Sequence, residues 1–181
     1  MTMTKIAIAA TTMMLGAAML SAQTPAATEN GYTSALRVRW NAVKRNVAAS
    51  AQAMPEANYS FKPTPDVRSF GELIGHLTNE HYLLCSPAKG EKNPQAAMDF
   101  EKKTAKADLV KALNDSIAYC DAVYMAAKDE PKAITPFSAT QQDTPFRVMM
   151  LNITHDSEHY GNIVTYLRLK GIVPPSSQPS R

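Results

Sequence analysis

The chain has 181 residues, 45% of them hydrophobic, a formal net charge of +3, two cysteines and four histidines. That length suits one domain with a real core and does not comfortably hold two. The cations are scattered rather than clustered, so the charge carries no electrostatic footprint for nucleic acid, and none is expected as a partner.

Residues 1–22 contain a single cation, Lys5, then an uncharged run rich in Ala and Met, then Ser21 and Ala22. This order reads as a secretory signal peptide, too short in its apolar part for a membrane span. Leu20 stands where a small residue usually precedes the cut. The expected mature protein is residues 23–181, one domain, secreted or periplasmic, with no membrane association after cleavage. The sequence admits a monomer or a homodimer.

After a polar lead, Leu36, Trp40, Val43, Val47 and Ala51 form a stripe at steps of three and four, which predicts an amphipathic helix from Tyr32 to about Gln52. Arg37, Arg39, Lys44 and Arg45 lie opposite and read as a solvated face. Pro55, Pro63 and Pro65 then impose a structured loop, with Tyr59 and Phe61 expected to tuck onto the helices. Ser69 precedes Glu72 by three, the capping-box pattern that starts a second helix. Pro87 and Gly90 are expected to stop it near Cys85 or Ser86.

A polar stretch over 86–104 reads as a surface crossing. A third helix is expected from Lys106 to about Lys128, with Leu109, Leu113, Ile117, Cys120 and Tyr124 inward. A second long connection spans 129–143. The last helix starts near Thr144 with Pro145 in its first turn and ends at Gly171, its stripe running through Phe146, Ile153, Tyr160, Val164 and Leu167. No strand pattern, repeat or glycine-rich phosphate loop is present. Four amphipathic helices with long connections predict an all-α four-helix bundle with crossover connections.

The chemistry concentrates in His155-Asp156-Ser157-Glu158-His159. Positions four apart on a helix differ by only about 40°, so both imidazoles can reach one ion. The second helix offers His76 and His81, and periodicity does not choose between them as a third ligand. Three neutral imidazoles suit zinc, nickel or iron and leave a position open, where a bound water's pKa falls from about 15.7 towards 7 or a thiol or carbonyl is polarised. Glu80, four beyond His76, and Glu158 are the nearby carboxylates, each a candidate to orient a ligand ring or act as general base and each equally readable as a solvated helix residue. The same residues spell H-x-x-E-H, the inverted zinc-peptidase signature. Those peptidases resemble this chain in little else: their third ligand is a downstream Glu, and no acidic residue follows His159. Cys85 and Cys120, read in an oxidising compartment, are expected to form one disulfide between the second and third helices.

Met54-Pro55-Glu56, Tyr59 to Pro65, Ser69-Phe70-Gly71-Glu72 leading to His76, His155 to Asn162 and Leu169 to Ser176 resemble, in order and spacing, the DinB-like family of metal-binding four-helix bundles. The resemblance covers nearly the whole mature chain. It implies that one His of the second helix and two of the last bind a divalent metal, which carries over to His76, His155 and His159. In the family that His follows the capping Ser by seven residues, as His76 follows Ser69, which favours His76 over His81. The resemblance also implies kinship with thiol-dependent transferases and isomerases, although many members have no known reaction. Export disfavours a thiol S-transferase, since low-molecular-weight thiols are chiefly cytosolic. The function expected is a metal-dependent hydrolase or transferase acting on an unknown small molecule, with a non-catalytic metal- or ligand-binding module and a thiol S-transferase as the alternatives.

Overall fold

The computed structural model describes residues 31–129, 135–136 and 141–179; the leader and part of the second long connection lie outside them. Helix α1 spans Tyr32–Ala53, α2 Phe70–Lys89, α3 Lys106–Ala126 and α4 Pro145–Leu169. Short 3-10 turns stand at Glu56–Asn58, Phe100–Lys102 and Pro175–Ser177. Helix α2 packs against α3 and α4, and α1 packs against the same two, which sets α1 across the bundle from α2. The chain must therefore cross the bundle between α1 and α2, which is why that connection is long.

The α1 stripe Leu36, Trp40, Val43, Val47 and Ala51 is buried, as are Leu109, Leu113, Ile117, Cys120 and Tyr124 of α3. Trp40 stacks flat on Tyr124, with ring centroids 4.8 Å apart. The basic face of α1 is less passive than its composition suggests. Arg37 donates to the carbonyls of Tyr124 and Ala127, each at 2.8 Å, which satisfies orphan acceptors at the negative end of α3. Lys44 pairs with Asp121, which also accepts the indole N–H of Trp40.

Helix α2 begins with the capping box, in which Ser69 Oγ accepts from the Glu72 amide and Glu72 Oε2 accepts from the Ser69 amide. It does not stop at Ser86. Pro87 lies inside the last turn, and the helix runs on to Lys89 because its end is closed elsewhere: Gly90, at φ 77°, and Glu91 donate back to Pro87 and Ser86. The sulfurs of Cys85 and Cys120 lie at bonding distance with their Cα atoms 5.4 Å apart, joining α2 to α3. In the second long connection a two-residue antiparallel ribbon pairs Thr135–Pro136 with Gln142–Asp143, where no strand was expected.

Helix α4 starts where expected, with Thr144 accepting from the Arg147 amide and Pro145 in the first turn. Its inward face keeps Ile153 and Leu167 of the expected stripe but differs elsewhere. Phe146 is 42% exposed, whereas Asn152 and Asp156 are fully buried beside Met149, Ile153, Ile163 and Leu167. Polar groups enter that face because other helices meet them: Asn152 Nδ2 donates to the Tyr124 hydroxyl at 3.1 Å, while its Oδ1 is buried without a partner, and Asp156 meets His81. No helix among the described residues is long and apolar enough to cross a membrane.

Candidate metal centre

Helices α2 and α4 lie side by side, and three histidines meet where they face each other. The capping box fixes the first residue of α2, so His76 falls in the second turn; His155 and His159 stand on successive turns of α4. Nε2 of His155 is 3.2 Å from Nε2 of His76 and 3.1 Å from Nε2 of His159. The ligand nitrogens of all three lie within 4.8 Å of one another, and each residue is half-buried.

The outer ring nitrogens differ. Glu101 Oε1 accepts from His76 Nδ1 at 2.9 Å, the arrangement in which a neutral ring carries its proton on Nδ1 and keeps its lone pair on Nε2. His159 Nδ1 lies 3.4 Å from the side-chain amide of Asn162. His155 Nδ1 is buried without a partner. Burial, reinforced by the neighbouring His159 and His76, lowers the His155 pKa to about 4. Burial, then His76, lowers that of His159 as well. Both rings are thus neutral near pH 7, the form in which an imidazole binds metal.

The donor set fits a divalent transition ion. Three unsaturated ring nitrogens crowded together repel unless protons or a cation lie between them. At metal–nitrogen bonds of about 2.0–2.1 Å, separations of 3.1 and 3.2 Å correspond to ligand angles of about 100°, between the tetrahedral and octahedral values.

The fourth histidine has a different fate. His81 is fully buried, its Nδ1–H donating to Ser116 Oγ at 2.8 Å and its Nε2 lying 3.0 Å from Asp156 Oδ2. Ser116 in turn donates to the Leu113 carbonyl at 2.8 Å. With both ring nitrogens engaged, His81 offers no lone pair to an ion.

Neither carboxylate singled out in the sequence hydrogen-bonds to a ligand ring, although the charge of each acts on one, Glu80 with His76 and Glu158 with His159. Glu80 is half-buried, and burial foremost raises its pKa. Glu158 is exposed, and its charge acts on His159 only through space. The carboxylate that touches a ligand is Glu101, which sequence reasoning left in a polar crossing. Its only sequence signal is Asp99 two residues earlier, whose side chain accepts from the Glu101 amide and caps the 3-10 turn.

A groove of about 800 Å³ opens beside the cluster. His159 and Glu101 reach it from the metal side, Asn162 and Thr165 line it from α4, and Lys62 and Arg68 stand in the loop opposite. Both cations are balanced, Lys62 by Glu72 at 3.1 Å and Arg68 by Glu101 at 2.9 Å. The groove therefore presents hydrogen-bonding groups and held charges rather than a single-sign field.

A family model described as the DinB superfamily matches residues 39–163. Among solved structures, a DinB-like protein from Bacillus cereus ATCC 10987 aligns with a TM-score of 0.65 at 15% identity, covering 77% of this chain and 93% of that one. A putative DinB family member from Exiguobacterium sibiricum 255-15 aligns with a TM-score of 0.59 at 20% identity, covering 77% and 92%. At these identities the two structures speak for the shared fold. No curated protein matches the chain.

Proposed function

The chain belongs to the DinB superfamily, and on that footing we propose that it holds one divalent transition ion on His76, His155 and His159 for a hydrolase or transferase reaction. The substrate would be a small molecule taken up in the adjoining groove. One observation carries this reading: three half-buried imidazoles turn their Nε2 atoms towards one another beside a groove large enough for a small molecule. When bound, the ion supplies Lewis acidity, since three neutral ligands leave its charge intact and its coordination incomplete.

The residues around it have separate tasks. His155, the middle ligand, stays neutral because burial and the two neighbouring imidazoles lower its pKa to about 4. Asn162 and Thr165 offer hydrogen bonds to a substrate lying along α4, and Arg68 and Lys62 offer charge from the opposite loop. Glu80 and Glu158 are the general-base candidates from the sequence. An exported location accords with the leader-like first 22 residues and with a cysteine pair at bonding distance in the core.

The test is elemental analysis of untagged mature protein, followed by a hydrolase and transferase screen with and without chelator. The expected result is close to one first-row transition ion per chain, lost in His155→Ala, and a turnover that chelation abolishes and added metal restores. Protein that cannot be loaded with any such ion would sink the reading; protein that loads but shows no metal-dependent turnover would move it to a binding module.

A further inference from the structure

We propose that Glu101 is a positioning residue of the metal centre, fixing the His76 ring in the tautomer whose Nε2 lone pair faces His155 and His159. The proposal rests on the reading that these three histidines hold an ion.

Glu101 comes from the short turn Phe100–Lys102, outside both ligand-bearing helices, and several contacts bring it to His76. Gly75 permits the approach: a Cβ there would lie 2.5 Å from the Phe100 carbonyl oxygen and 2.7 Å from the Glu101 amide nitrogen, so any side chain would push the turn off α2. Asn79, one turn further along α2, accepts from the Phe100 amide at 3.0 Å and donates to Asp99 at 3.2 Å. These contacts seat the turn in register with α2. On its far side Glu101 is gripped by Arg68, whose own carbonyl accepts from the Tyr166 hydroxyl of α4 at 2.6 Å. The carboxylate is thereby held between the groove loop, α2 and α4, with Oε1 aimed at His76 Nδ1.

An acceptor at Nδ1 matters because a neutral imidazole carries one proton on either nitrogen. A carboxylate partner holds that proton at Nδ1, leaves Nε2 as the ligand atom and raises its basicity. Neither other ligand has such a partner. His155 Nδ1 has none, and His159 has only a long amide contact. His76 is also the one ligand not carried by α4, so its ring orientation decides whether the third nitrogen joins the pair.

The test combines metal affinity with a direct reading of the tautomer. Zinc dissociation constants are measured by chelator competition for wild type, Glu101→Ala, Glu101→Gln and Gly75→Ala, and long-range ¹H–¹⁵N correlations report the His76 tautomer in the metal-free proteins. Glu101→Ala should weaken zinc binding about 10- to 100-fold and release His76 from the Nδ1–H tautomer. Glu101→Gln keeps an acceptor oxygen and should retain the tautomer with a smaller loss. Gly75→Ala should weaken binding with every ligand and Glu101 itself still present. Zinc affinity of Glu101→Ala within about twofold of wild type, or a His76 tautomer unchanged by it, overturns the proposal while leaving the metal reading intact. Wild-type protein that takes up no zinc overturns the metal reading and this proposal with it.

Discussion

Helices α2 and α4 meet at two histidine clusters that share neighbours in sequence and differ in almost everything else. His81, Ser116 and Asp156 are fully buried and close on one another, each polar atom facing a partner. His76, His155 and His159 are half-buried, open beside a groove, and turn lone pairs inward. His155 and Asp156 are adjacent residues, so a step of one position along α4 separates a saturated structural lock from an unsaturated centre. The difference teaches that burial alone does not mark a site. What marks it is three ligand atoms turned on one point beside a groove.

The comparison can be broken most forcefully at the closed cluster. Asp156→Ala leaves His81 buried with an unpartnered nitrogen, and losing one member of such a pair costs about 3–5 kcal/mol. Denaturant unfolding should show a loss of that order, whereas His155→Ala in metal-free protein should cost far less, since its Nδ1 already lacks a partner. Equal losses would erase the distinction between the two clusters.

Slightly smaller is the effect of the cysteine pair, which ties α2 to α3 one turn beyond His81. A bridge between residues 35 apart in sequence stabilises by about 3–4 kcal/mol on the chain-entropy model. Cys85→Ser with Cys120→Ser should lower the unfolding free energy by that order. Alkylation of both thiols in non-reduced protein would instead show that no bridge forms.

The smallest effect belongs to the start of α2. Ser69→Ala removes the acceptor for the Glu72 amide and should cost about 1 kcal/mol. Because His76 sits in the next turn, the loss should appear as faster amide exchange at the open end of α2, with the segment around His81 unchanged. Uniform acceleration along the helix would show that the capping box does not act locally.

Much of the bundle was legible because its information is local. The stripes of α1 and α3, the capping box and the proline at the start of α4 each act within a turn or two. The His155/His159 pair was legible for the same reason. The α4 stripe is legible at Ile153 and Leu167, but Phe146 is exposed and Asn152 and Asp156 are buried, because those two count as polar in any pattern and only α3 and α2 supply what they meet. Choosing His76 over His81 needed the family resemblance, because five residues of helix separate them and both fit an inward face. Glu101 was invisible, since its role depends on the close approach at Gly75, a contact between distant segments. The leader lies outside the described residues, and export rests on the sequence pattern alone.

The most direct measurement is an anomalous-difference map from crystals of the mature protein loaded with zinc. The account predicts one strong peak bonded at about 2.0–2.1 Å to Nε2 of His76, His155 and His159, and no peak near His81. A map with no peak among those three rings, or with the ion on His81 and Asp156, would contradict it.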